Sequence, residues 1–442
     1  MKKFFTYVFA LAAILALCSL SVFAEESAVA KVGDTEYATL QEAIDAAQSG
    51  DTVTVLCDIE LTGSLIISRN TNVVLDLNGK VISQSVECTS SYDMICNNGV
   101  LSIVDSYGGG KISFTDTSDG DATAGWGSYT IRNNNILVVD DVTIENLSAQ
   151  NVAGTGFKHT SLAIFQYSGS CTINGGVISC PSYRSVRLWS GEMVINGGSF
   201  VGQVWVQCVD DTADMTINGG SFAPCWNDAS SVFVGNIVDN VEHPVSFSIT
   251  NGTFATKVGA NNTAAIAGSI MGGTFSSKAI ASMGENSVLF GAELTQNNDG
   301  SYSVFVSLES VFTFLGYSKN NSNNAITAGY IIDQELLSFY VEQNGIESFD
   351  FGCAFGVNEV YENTYTSFAQ YTNYGTFNAK IVGIDATKED HTNAKLVLAL
   401  YIDFGNGKSF VVGGENKTVQ IVDKANVPTV TFNSLPAPTP AE

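Results

Sequence analysis

The chain has 442 residues, of which 45% are hydrophobic and only 14% charged, so it can bury a core and is not a disordered tail. Lys plus Arg number 19 against 44 Asp plus Glu, a net charge of −25. Such an excess of carboxylates repels phosphate backbones and anionic lipid surfaces, which excludes nucleic-acid binding and membrane-surface binding as partner classes.

Met1 to Ala24 reads as a secretory signal peptide. Lys2 and Lys3 form the positive start, Phe4 to Val22 the apolar stretch, and Val22-Phe23-Ala24 a small-residue cleavage site before Glu25. An uncleaved anchor is the alternative, since about 20 apolar residues can span a bilayer, but Thr6, Ser19 and Ser21 weaken it. The expected mature chain is secreted or at the cell surface, with no membrane insertion after cleavage. Its net charge rises in magnitude to −27, with 17 basic against 44 acidic residues.

Residues 25–52 read as an N-terminal cap with a short helix. Thr39-Leu-Gln-Glu42 is a capping box, Leu40, Ala43, Ile44 and Ala47 form one stripe, and Gly50 is the stop. Val53-Thr-Val-Leu56 follows as a strand. An amphipathic helix here would protect the open end of a stacked sheet.

The body carries a repeat. Cys171-Thr-Ile-Asn-Gly-Gly-Val-Ile178 recurs as Met193-Val-Ile-Asn-Gly-Gly-Ser-Phe200, Met215-Thr-Ile-Asn-Gly-Gly-Ser-Phe222, Phe247-Ser-Ile-Thr-Asn-Gly-Thr-Phe254 and Ser269-Ile-Met-Gly-Gly-Thr-Phe275. The anchors Ile173, Ile195, Ile217, Ile249 and Ile270 stand 22, 22, 32 and 21 residues apart. Weaker copies precede them at Leu75–Ile82, Leu101–Val104 and Leu137–Ile144. Alternation makes a short strand with one inward face, and Asn-Gly-Gly supplies positive-φ positions for a corner. One copy cannot bury its own face, so stacked copies must make the core between them. A second strand precedes each phrase: Leu162–Phe165, Val186–Trp189, Val204–Gln207, Val232–Gly235 and Ala264–Ala267. A helical repeat lacks the needed 3.6 periodicity, and the leucine-rich consensus is absent.

On these motifs residues 53 to about 295 resemble the right-handed parallel β-helix of pectate-lyase-like exported bacterial proteins. The expected fold class is therefore mainly β: a parallel β-helix over 53–297 with its N-terminal capping helix, then a smaller α+β or β-sandwich domain. That module, 302–433, is aromatic-rich, with a helix capped by Asp333, turning Leu336, Leu337, Tyr340 and Val341 inward and stopping at Gly345. It resembles an uncharacterised module at the end of exported proteins of gut-type anaerobic bacteria. A Pro-rich tail, 434–442, ends the chain.

The resemblance raises the question of polysaccharide cleavage, because that fold hosts lyases and hydrolases. A hydrolase of this type would carry clustered aspartates with Gly-His-Gly and Arg-x-Lys; the chain has Asp140-Asp141 without either motif, and His159, His243 and His391 are scattered. A lyase would need a basic residue beside calcium-binding carboxylates, and the clustered arginines are Arg184 and Arg187. Asp116-Thr-Ser-Asp119-Gly-Asp121 has the look of a calcium loop but lacks EF-hand spacing and a closing Glu; a solvated acidic loop is the preferred reading. No catalytic residue, metal or cofactor is expected. Of eight cysteines after the leader, Cys88 with Cys96 and Cys171 with Cys180 are spaced to close short loops, or all serve as small buried hydrophobes.

If Ile164, Leu188, Val206 and Val234 face inward, alternation turns Phe165, Arg187, Trp189, Trp205, Gln207 and Phe233 outward on adjacent rungs. Exposed rings beside Arg suit a sugar, stacking on its apolar face while polar neighbours meet its hydroxyls. The competing reading is a loop or the C-terminal module packed over that strip. The sequence therefore points to a non-enzymatic extracellular structural or adhesive protein, with glycans or host or bacterial surface components as partners. The alternatives are a polysaccharide-degrading enzyme with an atypical site, and a rigid stalk of roughly ten rungs, about 48 Å at the sheet spacing.

Overall fold

The computed structural model describes residues 28–118, 127–148, 160–209, 212–225, 230–276, 287–289, 291–320, 325–346, 350–357, 360–365, 376–381, 395–403, 409–421 and 430–434. The leader, Asp119, Asp121, Trp126, His159, Trp226 and His391 lie outside them. The chain divides into two compact units, one of 1–246 with 258–262, the other of 247–257 with 263–442.

The first unit is mainly β, with three long parallel sheets visited in turn. From Asp51 onward the chain passes through sheet 1, sheet 2 and sheet 3 and then begins again one strand higher. One such circuit runs Ser170–Ile173 in sheet 1, Val177–Ser179 in sheet 2 and Arg184–Leu188 in sheet 3. The Asn-Gly-Gly phrase thus holds two strands and the corner between them. Parallel pairing brings the repeat into register, with Val139 beside Ile173, Ile173 beside Ile195 and Ile195 beside Ile217. All four are fully buried. Each removes from water a side chain whose burial contributes about 2 kcal/mol. This stacking is compatible with a parallel β-helix.

Sheet 2 continues the core with the column Ile82, Ile112, Ile144, Ile178, Phe200 and Phe222, paired in that order. The rings of Phe200 and Phe222 stack 4.8 Å apart at 9°, the separation of adjacent strands. The corner works through both glycines in different ways. The second holds a left-handed backbone, φ +105° at Gly198 and Gly220, where a side chain would be strained. The first is in an ordinary conformation, but a Cβ on Gly219 would stand 2.6 Å from the carbonyl oxygen of Asn196.

The short helix Leu40–Ala46 has its capping box in place: Glu42 N–H donates to Thr39 Oγ1 and Thr39 N–H to Glu42 Oε2, both at 3.2 Å. Leu40, Ala43 and Ile44 are buried. Gln41 reaches the edge of sheet 3, its carboxamide bridging both backbone groups of Ile66, donating to the carbonyl at 2.9 Å and accepting from the N–H at 2.8 Å. A side chain thereby does for an edge strand what a further strand would do. Gln41→Ala should cost about 1 kcal/mol and speed hydrogen exchange at the Ile66 amide; an unchanged exchange rate would show that the bridge does not protect the edge.

Two expectations are corrected in the second unit. Ala264–Ala267 is not a strand; Thr263–Ile266 forms a 3₁₀ turn, as a run of alanines holding a single β-branched residue lacks strand preference. The strand that joins sheet 3 is instead Val258–Ala260, in the first unit, paired with Val232–Val234. The helix after Asp333 spans Gln334–Gln343, and Asp333 accepts from the N–H groups of Glu335 and Leu336. It buries Phe339 with Leu336 and Leu337, leaving Tyr340 and Val341 half-buried, because the apolar stripe advances by three from Leu336 rather than by four. The second unit also stacks Phe254 on Phe275, 4.7 Å apart at 8°, and holds antiparallel sheets formed by Phe312–Asn320, Ala325–Ile332 and Thr376–Ile381, and by five strands between Asp350 and Ser434. Among the described residues no helix is long and apolar enough to cross a membrane.

Candidate functional site

The outer side of sheet 3 in the first unit differs from the other faces. Alternation turns Ile164, Leu188, Val206 and Val234 inward, all fully buried. The outward residues form two columns. In the first, parallel register sets Cys96, Arg132, Phe165, Arg187, Trp205 and Phe233 side by side. In the second, the backbone ladder continues past the strand ends, with Tyr167, Trp189, Gln207 and Gly235 each donating to a carbonyl of the circuit below. The six outward residues read from the sequence all stand in these columns.

They do not stand in open solvent. Phe165 is only 5% exposed, which corrects the expectation of an exposed ring. It packs with Tyr129, Leu162, Cys180 and Tyr183 in a cluster on the outer face, with Tyr167 and Trp189 against it. Arg187, Trp189, Trp205, Gln207 and Phe233 are half-buried. The cause is crowding by residues that alternation from the phrase did not single out. Tyr129 meets the Phe165 ring at 4.7 Å, and Tyr167 stacks on Trp189 at 6.3 Å and 20°.

Three arginines thread this aromatic layer. The guanidinium carbon of Arg187 lies 4.3 Å from the Trp189 ring centre, 5.0 Å from Trp205 and 5.4 Å from Phe165. Arg184 lies 3.4 Å from Trp205 and 4.0 Å from Tyr183. Arg132 lies 4.3 Å from Tyr167 and 5.9 Å from Phe165. Each contact places a cation over the negative face of a ring. Burial pulls Arg184 and Arg187 down from 12.5 to about 10, so both keep their charge at neutral pH. Burial likewise raises the Asp93 carboxyl, and Arg132, 3.8 Å away, pulls it back.

The chain matches no family model, no curated protein and no solved structure.

The remaining sequence candidates take structural places. Asp140 accepts from the Asn174 side chain and starts an amide ladder in which Asn196 donates to Asn174 at 2.8 Å and Asn218 to Asn196 at 3.0 Å. Asp141 occupies a left-handed turn position, φ +53°. Asp116 is buried, and its carboxylate accepts from the N–H groups of Cys88 and Ser118. Among the described residues no group of His, Cys, Asp and Glu is arranged to hold a metal. Cys88, Cys96, Cys171 and Cys180 are unbridged thiols, so the loop-closing pairs read from spacing are not formed. Burial pushes Cys88 and Cys171 up to about 12, which fits small buried hydrophobes and not nucleophiles.

Two arginines join the layer in ways that alternation from the repeated phrase does not reveal. Arg132 enters the first column because register sets it beside Phe165; the signal was its place one residue after Ile131, which faces inward. Arg184, clustered in the sequence with Arg187, is 9% exposed and pressed against Trp205.

Proposed function

We propose that this chain is an exported, non-enzymatic protein of a bacterial surface or secretome, built as a right-handed parallel β-helix capped by its N-terminal helix, and that the outer face of sheet 3 binds glycans. The observation that carries this reading is the pair of outward columns in which half-buried Trp189, Trp205 and Phe233 alternate with Arg187 and Gln207. Rings packed on one another across adjacent rungs, Tyr167 stacked on Trp189 and Phe165 edge-on to it, make a rigid platform that loses little entropy when a sugar ring stacks on it. Gln207 and the guanidiniums supply donors beside that platform for hydroxyls. The rest of the column is scaffold, its repeats filling their interior with isoleucine and phenylalanine.

A glycan array probed with the mature chain tests this. Trp189→Ala should weaken binding roughly 10-fold, the loss of one aromatic stacking contact, and Trp189→Phe should restore part of it. Trp189 is the better probe than Trp205, since Trp205 meets both Arg184 and Arg187 whereas Trp189 meets only Arg187 of the two. Equal, negligible signal from the folded parent and from Trp189→Ala would remove glycan binding and leave a structural role.

A further inference from the structure

Among the described residues, Arg184 and Arg187 are held in place without a carboxylate beside them. Arg187 donates from a terminal nitrogen to Oε1 of Gln207 at 2.6 Å. Arg184 donates from Nε to Oε1 of Gln203 at 3.2 Å and from a terminal nitrogen to the Tyr183 hydroxyl. Every one of these acceptors is uncharged. Of the three arginines only Arg132 has an ion-pair partner among the described residues, Asp93. The chain has 44 acidic residues to choose from, and a buried cation is ordinarily matched with a carboxylate because its desolvation is otherwise uncompensated. A carboxamide fixes the direction of a guanidinium while leaving its charge intact. The Nε of Arg187 and the Nε1 of Trp205 are moreover buried without a hydrogen-bond partner among the described residues, so the layer retains donor capacity that the fold does not use.

We propose that Arg184 and Arg187 are the anion-recognising element of the glycan face, and that its ligand is an acidic saccharide whose single carboxylate or sulfate group sits on the guanidinium pair while its ring stacks on Trp189 or Trp205. This rests on the glycan reading above and narrows it. The guanidinium fork matches the planar oxygens of a carboxylate and the oxygens of a sulfate alike. The chain's net charge of −25 selects against long polyanions, which would meet repulsion over most of their length. A ligand with one localised charge escapes that repulsion.

The test uses the full mature chain with lactose, 3′-sialyllactose and 3′-sulfolactose in calorimetric titrations, and with inorganic sulfate in thermal melts. The expected result is binding of one or both acidic sugars at least ~10-fold tighter than lactose, the return from a charge-assisted contact, with a preference that shrinks as salt is raised. Gln207→Glu is the decisive variant: it keeps the shape and supplies Arg187 with an internal carboxylate. It should melt higher than the parent while losing at least ~10-fold in affinity for the acidic sugar. Arginines serving only as packing would gain the same stability, with lactose and the acidic sugars weakened alike by the loss of the Gln207 donor. Equal affinity for lactose and the acidic sugars overturns the anion assignment and leaves the glycan reading standing. Sulfate raising the melting temperature while no saccharide binds overturns the saccharide, and the glycan reading falls with it. Equal binding of polyglutamate would also overturn the proposal, since charge alone would then suffice.

Discussion

Replacing Asn133 by leucine should destabilise the first unit by roughly 2–5 kcal/mol, the cost of stranding two or more buried polar partners. Asn133 is fully buried. Its Oδ1 accepts from Asn97 Nδ2 at 2.6 Å, and its Nδ2 donates to Oε1 of Gln166 at 2.7 Å and to the Ser170 carbonyl at 3.0 Å. The three amides occupy the same inward position on successive strands of sheet 3, beside Ile95, Ile131 and Ile164. Leucine keeps the branching and the number of side-chain heavy atoms of asparagine, so the change opens no cavity; its bulkier methyl groups add some overpacking to the lost hydrogen bonds. Asn97 retains a second acceptor, the Ile136 carbonyl at 2.8 Å, whereas Gln166 and Ser170 lose the donor that Asn133 supplies. Thermal and denaturant unfolding measure the loss; a change below about 1 kcal/mol, the net value of an ordinary hydrogen bond, would show that the ladder adds nothing beyond packing.

That ladder also marks where the sequence stops being readable. Asn97, Asn133 and Gln166 sit at strand ends followed by Asn98-Gly99, Asn134-Asn135 and Tyr167-Ser168, and polar residues there read as turn residues. Their partnership depends on register between segments 36 and 33 residues apart, in circuits of unequal length. By contrast, the Ile-Asn-Gly-Gly phrase was legible because its period is nearly constant: equal circuits bring Ile173, Ile195 and Ile217 into one column with no further information. The same contrast runs through the candidate site. Arg187, Trp205 and Phe233 fall in one column by strand alternation alone, which is why pattern reading found them. Arg132, Tyr129 and Tyr183 surround Phe165 through the longer, irregular circuits and through a corner, so neither their approach nor the burial of Phe165 follows from alternation. The spacing of cysteines misled for the opposite reason: Cys171 lies within a strand of sheet 1 and Cys180 follows a strand of sheet 2, so nearness in sequence did not bring the sulfurs together.

Phe222→Ala should cost about 3–5 kcal/mol, the range for emptying a fully buried aromatic site, and should do so by breaking a column rather than a single contact. Phe222 is 2% exposed, stacked on Phe200, and continues a position occupied by Ile112, Ile144 and Ile178 in earlier circuits. The column therefore accepts either a β-branched aliphatic or a ring, Ile178 standing directly beside Phe200. Phe222→Ile is expected to cost less than Phe222→Ala, about 1–2 kcal/mol, as a volume reduction that leaves a β-branched residue suited to the strand. The double change Phe200→Ile with Phe222→Ile should then cost less than the sum of the two single changes, by about 0.5–1.5 kcal/mol, the value of an aromatic pair beyond its buried area. Strict additivity in a thermal double-mutant cycle would mean that the two rings fill space independently and that the parallel stacking at 4.8 Å carries no energy of its own. Coupling of the expected size would instead make each rung a template for the next, which is how a circuit too short to bury its own face comes to share one core with its neighbours.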